Sequence, residues 1–179
     1  MRVIAGKARR LPLKTTPGLD TRPTIDKIKE TLFNILAPYV PGSYFLDLYC
    51  GSGSIGIEAL SRGAVKCAFV DNSPKAMAVC KENLAFTRLQ GDAVLLQRNA
   101  ISAINELSIR KYVFDIVYID PPYFEGLEKD TLLALGDSGI INEDSIIILE
   151  ADKYNDLDFI GETRFEIKRE KKYKTKITA

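Results

Sequence analysis

The stretch VYIDPPYFEG, at 117–126, places one carboxylate, Asp120, at the end of an apolar run. Two prolines and an aromatic residue, Tyr123, follow at once. Prolines restrict the backbone and have no N–H groups, so their carbonyls remain as acceptors beside the carboxylate. Two adjacent acceptors match the two hydrogens of a primary amine, and a tyrosine ring offers a face for a planar group. We therefore predict that Asp120, Pro121 and Tyr123 hold an exocyclic amino group for reaction.

A glycine-rich loop, GSGSIG at 51–56, follows another short apolar run. Gly51, Gly53 and Gly56 form a G-x-G-x-x-G pattern, and Asp71 lies 18 residues beyond Gly53 at the end of the next apolar run. This pattern brings a ligand close to backbone N–H groups at a helix N-terminus. Dinucleotide-binding proteins share it, so the glycines alone leave the ligand open.

Asp47, four residues before the glycine loop, distinguishes between two kinds of ligand. A carboxylate in that crevice would repel the pyrophosphate of NAD and would attract an amine and a sulfonium. S-adenosylmethionine carries both cations and has no phosphate. Asp71 then suits the ribose hydroxyls, and Asn99 can offer its amide to the adenine. The structural alternatives are an Asp47 that is buried and caps the glycine loop, and an Asp71 that caps a helix.

These side chains need a scaffold that brings the ends of several strands to one edge of a sheet. Apolar runs alternate with helical patterns, which predicts an α/β fold: a doubly wound, mostly parallel Rossmann-like sheet with helices on both faces. The predicted strands lie at 44–50, 66–71, 93–99, 114–120 and 145–150, and the predicted helices lie at 24–36, 73–86 and 101–107, with one more helix after the glycine loop.

Two further predictions complete this organisation. Ser73 is the predicted N-cap of the helix at 73–86, and Pro74 is its first helical residue. Residues 163–178 alternate well enough to predict one or two closing strands. We expect a single domain over residues 1–179, in which a basic N-terminal arm at 1–22 precedes a Rossmann-like core at 23–179.

Charge is segregated along the chain, although the net charge is only +1. The net charge is +5 over residues 1–40, −8 over residues 41–160 and +4 over residues 161–179. Basic ends around an acidic middle suit contact with a polyanion, because phosphates are neutralised locally. The alternative is that the charged ends are only solvated. The residues predicted to contact such phosphates are Arg9, Arg10, Lys14 and Arg22.

The composition excludes several classes of protein. The chain has no histidine, which removes histidine acid–base catalysis and most transition-metal sites. Its three cysteines are widely spaced, so we expect reduced thiols and neither a disulfide framework nor a zinc site. No apolar run approaches the roughly 18–20 residues of a membrane span, and the basic N-terminus lacks the apolar core of a secretion signal. We expect a cytoplasmic protein without metal or membrane, and nothing in the sequence requires more than a monomer.

The motifs resemble those of a known family. FLDLYCGSGSIGIEALSRGA, at 45–64, resembles the first motif of class I S-adenosylmethionine-dependent methyltransferases. DPPY, at 120–123, is similar to the fourth motif of amino-methyltransferases. RPTIDKIKETLFNIL, at 22–36, resembles the segment that opens the RsmD family, whose members methylate a guanine N2 in bacterial 16S ribosomal RNA. The likeness covers nearly the whole chain. It implies the small ribosomal subunit or its RNA as partner and S-adenosylmethionine as cofactor.

The resemblance also implies a role for each matching residue. Asp120, Pro121 and Tyr123 would hold the guanine, and Thr24, with its neighbours Arg22 and Pro23, would close one side of the cofactor pocket. In the closing segment KKYKTKITA, Lys174 stands where the family pattern has a glycine, which puts the last turn in question. The implied cofactor-binding residues are Asp47, Gly51 and Gly53 for the methionine part, Asp71 for the ribose, and Asn72 and Asn99 for the adenine.

Three other functions compete with this interpretation. An amino-methyltransferase could act on DNA adenine N6, or on another RNA or a protein amide, although 179 residues leave little room for a DNA-recognition region. A nucleotide-binding oxidoreductase could use the same glycines, but Asp47 disfavours its pyrophosphate. A non-catalytic RNA-binding module would leave the DPPY motif unexplained.

Overall fold

The computed structural model describes residues 1–15, 23–122, 126–152, 157–172 and 176–178, with the backbone alone at 23–25, 172, 176 and 177. Its strands are β1 (Tyr44–Leu48), β2 (Lys66–Asp71), β3 (Ala93–Gln97), β4 (Ile116–Ile119), β5 (Ile146–Asp152), β6 (Lys171–Lys172) and β7 (Lys176–Thr178). In the described chain they form one sheet in the order β3-β2-β1-β4-β5-β7-β6. The first five strands are parallel, and β7 is antiparallel to both β5 and β6.

Helices cover both faces of this sheet. They are α1 (Pro23–Ile35), α2 (Ser54–Ser61), α3 (Pro74–Thr87), α4 (Ala100–Ile109) and α5 (Leu127–Asp137). One core cluster joins α1, α2 and α3 to the sheet, and a second cluster joins α4 and α5 to the opposite face. None of the helices in the described chain combines the length and apolar character needed to cross a membrane. The doubly wound, mostly parallel fold is therefore confirmed.

Burial on both faces explains why the central strands read as continuous apolar runs. Successive residues of a strand point to opposite faces, so Phe45 of β1 packs in the first cluster and Leu46 packs in the second. Asp47 therefore faces the side covered by α1, α2 and α3. Its neighbours across the sheet are Phe69 of β2 and Tyr118 of β4.

The predicted elements are confirmed with small shifts at their ends. β1 ends at Leu48, two residues before the predicted end, because Tyr49 adopts a left-handed backbone with φ 64°. β3 ends at Gln97, also two residues early, because the side chain of Asn99 caps α4. The cap of α3 is as predicted: the hydroxyl of Ser73 accepts a hydrogen bond from the N–H of Ala76.

Two predictions of structure were incomplete or wrong. The sequence patterns predict no element between β4 and β5, where α5 lies. This helix begins after Gly126, which supplies no side-chain cap, so the usual start signal is missing. The closing strands are much shorter than the predicted 163–178. Residues 163–170 follow a 3₁₀ turn at Asp158–Glu162 and are not extended into a strand, because Phe165 packs into the second core cluster instead.

The N-terminal segment at 1–15 folds against the helices. Its side chains Val3, Ala8 and Leu13 are buried in the first core cluster. The fully buried carboxylate of Glu58 accepts hydrogen bonds from the N–H groups of Ile4 and Ala5, at 2.8 and 3.0 Å. These contacts fix the basic N-terminal residues to α2, directly after the glycine loop.

Two basic side chains from different elements pair with Glu58. Arg62, on the next turn of α2, lies 2.7 Å away, and Lys29 of α1 lies 3.5 Å away. Burial lowers the pKa of Lys29, and the nearby carboxylate of Glu58 opposes this shift. The network joins the N-terminal segment, α1 and α2 through charges that are removed from water.

Candidate active site at the carboxyl ends of the strands

Parallel pairing brings the carboxyl ends of three strands to one edge of the sheet. Leu48 of β1 is opposite Val70 of β2 on one side and Ile119 of β4 on the other. The chain therefore leaves these strands at one level, where Asp71 ends β2 and Asp120 follows β4. Open α/β sheets bind their ligands at this edge.

The glycine loop needs glycine for two physical reasons. Gly53 has a backbone φ of 77°, which residues with a Cβ atom rarely adopt. A Cβ atom there would lie 2.5 Å from the sulfur of Cys80. At Gly56 a Cβ atom would lie 2.3 Å from the ring of Phe69. The loop can therefore pack directly on β2 and α3.

The cysteines are free and buried, as predicted, and the pKa of Cys50 is raised by its hydrogen bond with Cys80 and by burial.

Asp47 lies beneath the glycine loop. Only 1% of the residue is exposed, and its carboxyl group accepts a hydrogen bond from the N–H of Gly56 at 2.9 Å. The pKa of Asp47 is raised from 3.8 to about 8. Burial makes the largest contribution, the hydrogen bond from Gly56 opposes it, and the charges of Asp120 and Asp71 add to the increase. Asp47 thus caps the glycine loop, as one structural alternative anticipated. A cation bound nearby would lower the pKa of Asp47 and favour its ionised form.

Asp71 fixes the glycine loop from the side of β2. One carboxylate oxygen accepts the N–H of Gly51 at 2.9 Å, and the other accepts the N–H of Ser73 at 2.8 Å. Each oxygen can accept a further hydrogen bond. Asp71 remains half-buried and lines a cleft, so its structural contacts are compatible with a ligand contact as well.

The cleft has a volume of about 430 Å³ and lies above the ends of β1 and β2. It brings together three predicted ligand residues, Asp71, Asn72 and Asn99. The side-chain oxygen of Asn99 accepts the N–H of Ser102 at 2.8 Å, so the oxygen caps α4 and the amide N–H groups are the donors that this residue could offer to a ligand. A larger cavity of about 670 Å³ lies between α1, β5 and residues 164–171, and within the described part of the chain none of the predicted ligand residues lines it.

The predicted acceptors for the target amine follow β4. Asp120 is half-buried, Pro121 is buried and Pro122 is exposed. The charge of Asp120 acts on Asp47, so the two carboxyl groups share one environment. Tyr123 and Arg22 lie outside the described residues, as does Lys174. Thr24 lies in the first turn of α1, where only the backbone is described.

Three of the predicted RNA-binding residues, Arg9, Arg10 and Lys14, are described, and they lie outside the cleft. Arg9 and Arg10 are exposed at the turn of the N-terminal segment, where Arg10 has φ 71°. The ammonium of Lys14 is paired at the surface with Glu82 of α3 at 2.7 Å. Lys14 would have to exchange this partner in order to bind a phosphate.

Asn83 is a positioning residue that the sequence analysis missed. Its buried side chain accepts the N–H of Lys14 at 2.9 Å and donates to the carbonyl of Lys14 at 3.0 Å. It also donates to the carbonyl of Ser52 in the glycine loop at 2.9 Å. A polar, weakly helix-forming residue in the middle of α3 was the available signal. Asn83 therefore connects the N-terminal segment to the glycine loop by hydrogen bonds.

The strand order, the antiparallel β7 and the acid-flanked glycine loop define a Rossmann-like methyltransferase fold. A solved structure titled "Crystal Structure of the SAM Dependent Methyltransferase from Agrobacterium tumefaciens" has this fold, with a TM-score of 0.62 over 82% of the present chain and 50% of that chain, at 21% identity. The family model described as conserved hypothetical protein 95 matches residues 1–179. The chain belongs to this family, which confirms the predicted RsmD-type membership.

Individual relatives agree with this family. "Putative rRNA methyltransferase YlbH" of Bacillus subtilis is 40% identical over 86% of the chain and 83% of that protein. "Ribosomal RNA small subunit methyltransferase D" of Escherichia coli is 36% identical over 88% of the chain and 77% of that protein. The solved structure titled "Putative methyltransferase yhhF from Escherichia coli" has a TM-score of 0.84 and 32% identity, over 99% of the chain and 94% of that chain.

Proposed function

We propose that this protein transfers a methyl group from S-adenosylmethionine to the exocyclic N2 of a guanine in bacterial 16S ribosomal RNA. The observation that carries the proposal is the position of Asp120. It directly follows β4, which pairs with the strand that leads into the glycine loop. An acceptor for an amine would therefore lie beside a methyl donor bound at that loop. The names of the two ribosomal RNA methyltransferase relatives support RNA as the substrate.

The residues around the cleft fit the charge of S-adenosylmethionine. The carboxylate of Asp71 in the cleft, and the carboxyl group of Asp47 beneath the glycine loop, which would ionise beside a cation, favour a ligand with an amine and a sulfonium over one with a pyrophosphate. When bound, the cofactor supplies a methyl group on a positively charged sulfur. The residues that would hold it are Asp47, Gly51 and Gly53 at the methionine part, Asp71 at the ribose, Asn72 and Asn99 at the adenine, and Thr24 at the side of the pocket.

Asp120 and the carbonyl of Pro121 would prepare the target amine. The lone pair of guanine N2 is delocalised into the ring, which makes the amine a poor nucleophile. Hydrogen bonds from its two N–H groups to these acceptors would turn the nitrogen toward tetrahedral geometry and free the lone pair for in-line attack. Asp120 would stabilise the positive charge that builds on the nitrogen, and positioning would supply most of the remaining acceleration. The bond from the nitrogen to the methyl carbon would form as the bond from that carbon to sulfur breaks, so the sulfur would leave in the neutral thioether S-adenosylhomocysteine. The proton would pass from the nitrogen to water after methyl transfer, because a carboxylate is a weak base for this amine.

The exposed turn with Arg9 and Arg10 would contact RNA phosphates without reading the sequence. A guanine in a duplex would have to leave the base stack to reach Asp120, whereas a base in a single-stranded loop would need little of this work. We place this activity in the cytoplasm, on 16S RNA or the small ribosomal subunit, and assign it to a monomer.

Methyl transfer from labelled S-adenosylmethionine tests the proposal. The substrates are unmodified small ribosomal subunits, naked 16S RNA, DNA and ribosomal protein. The variants form a matched pair on one strand: Asp120→Asn at the carboxyl end of β4, and Asp115→Asn just before its amino end. We expect N2-methylguanine in RNA with wild-type protein and Asp115→Asn, and a loss of label with Asp120→Asn.

The other outcomes also decide. Label in DNA adenine or in a protein amide would keep the chemistry and replace the substrate. Equal labelling of RNA by Asp120→Asn and wild-type protein would remove Asp120 from the mechanism. No label in any substrate, with cofactor bound, would refute the proposed activity.

A further inference from the structure

Tyr49 occupies a costly position between β1 and the glycine loop. Its φ of 64° is in the left-handed region, which a residue with a Cβ atom adopts only at a cost in free energy. Such a conformation persists where surrounding contacts determine it. Tyr49 is half-buried and lines the 430 Å³ cleft together with Asp71. Its side chain therefore lies at the wall of the candidate site, directly before the glycine loop.

The hydroxyl of Tyr49 reaches a residue that is distant in sequence. It lies 2.8 Å from the hydroxyl of Thr131, and these two groups form a hydrogen bond. Thr131 is 1% exposed and lies on α5, one turn beyond its first residue, Leu127. Because Thr131 is buried, water cannot easily replace this hydrogen bond.

This contact connects the region of the glycine loop, proposed to hold the methyl donor, with the helix that follows the proposed acceptors of the target amine. The glycine loop follows Tyr49 immediately, and α5 is the first helix after Asp120 and Pro121. Below the cleft, the pairing of Leu48 with Ile119 already joins β1 to β4. The Tyr49–Thr131 contact adds a second connection on the cleft side. Together they limit how α5 can move relative to the loop that would hold the methyl donor.

We propose that Tyr49 is a positioning residue that sets the distance between the bound cofactor and the target amine through Thr131. The inference rests on the proposed function, since it takes Asp120 and Pro121 as the acceptors for that amine. In-line displacement depends steeply on the approach of the two reacting atoms, so a small shift of α5 slows transfer. Cofactor affinity is set by other contacts and changes little.

Single-turnover methyl transfer to unmodified small ribosomal subunits tests this role. The variants are Tyr49→Phe, Thr131→Val and the double variant, with Tyr39→Phe as a matched control at an exposed tyrosine. We expect each single variant to slow transfer about threefold to tenfold, as for the loss of one hydrogen bond. The double variant is expected to be no slower than either single variant, because both remove the same contact. Thr131→Ser keeps a hydroxyl and is expected to restore most of the rate.

Binding of S-adenosylhomocysteine separates positioning from affinity. We expect its dissociation constant to stay within about twofold of wild type in all variants. Unchanged transfer rates, additive losses in the double variant, or a loss confined to cofactor affinity would each overturn the inference. Asp120→Asn, measured in parallel, isolates the proposed function. If wild-type protein labels RNA and Asp120→Asn does not, a failure at Tyr49 concerns Tyr49 alone, and if wild-type protein gives no label, both proposals fall.

Discussion

The buried carboxyl group of Asp47 accepts a hydrogen bond from the backbone N–H of Gly56, at 2.9 Å. Two opposing effects act on this group. The hydrogen bond favours the carboxylate, whereas burial favours the protonated form, and burial has the larger effect. The group that caps the glycine loop is thus poised to change its charge near neutral pH.

This pKa predicts how stability depends on pH. In the folded state the pKa of Asp47 is about 8, above its ordinary value of 3.8. The folded state therefore binds the proton more tightly, and the stabilisation is complete below pH 3.8 and is lost as the pH rises to about 8. We expect the melting temperature of wild-type protein to fall more steeply between pH 6 and pH 8, the upper part of this window, than that of Asp47→Asn, which keeps an acceptor for Gly56. Equal slopes in thermal unfolding scans would contradict the shift.

The same group predicts proton release on cofactor binding. A sulfonium or amine near Asp47 stabilises the carboxylate and lowers its pKa, so wild-type protein releases protons when S-adenosylmethionine binds near pH 7. Calorimetry in two buffers of different ionisation enthalpy measures this release. Asp47→Asn is expected to release fewer protons. An identical release in both proteins would place the cations of the ligand elsewhere.

Gly53→Ala is predicted to destabilise the protein and weaken cofactor binding. The new Cβ atom would lie 2.5 Å from the sulfur of Cys80, in a backbone with φ 77°. Gly42→Ala is the matched control, because Gly42 has φ 82° and nothing within 4 Å of the added atom. We expect both variants to lose about 1 kcal/mol from backbone strain. Gly53→Ala is expected to lose about 1–3 kcal/mol more from overpacking, measured by chemical denaturation.

Removal of Glu58 is predicted to detach the N-terminal segment from α2 and to destabilise the protein. Glu58→Ala removes the carboxylate that pairs with the buried ammonium of Lys29, which then keeps the carbonyl of Arg2 as an acceptor at 2.7 Å. It also leaves the N–H groups of Ile4 and Ala5 without their acceptor. The expected loss of unfolding free energy is about 3–5 kcal/mol. Glu82→Ala, which removes an exposed ion pair with Lys14, is expected to cost about 0–1 kcal/mol. Similar losses for the two variants in denaturant titrations would argue against the buried network.

Arg9→Ala combined with Arg10→Ala is predicted to weaken RNA binding and to spare cofactor binding. Each phosphate contact to single-stranded RNA contributes about 0.7 to the slope of log affinity against log salt, so losing two lowers the slope by about 1.4. Filter binding across a salt series measures this slope. A parallel loss of S-adenosylhomocysteine affinity would indicate misfolding and would withdraw these residues from the RNA interface.

The sequence alone determined the parallel sheet, the glycine loop and the Ser73 cap. Each of these depends on residues that are neighbours in the chain: an apolar run forms a buried strand, and a hydroxyl beside a helix start caps it. The positions of Asp71 and Asp120 at the ends of strands follow from the same local patterns. That both acids lie at the same edge of the sheet as the glycine loop could be predicted because parallel strands end together.

Only the tertiary structure decided which distant groups hold the site in place. Asn83 contacts Lys14 across 69 residues, Glu58 contacts Ile4 across 54, and Tyr49 contacts Thr131 across 82. No local pattern specifies such pairs, since they depend on how helices pack against the sheet and on what burial leaves for each polar group to bond. The protonation of Asp47 was likewise hidden, because the residue type gives its ordinary pKa and only the packing around it gives the shift.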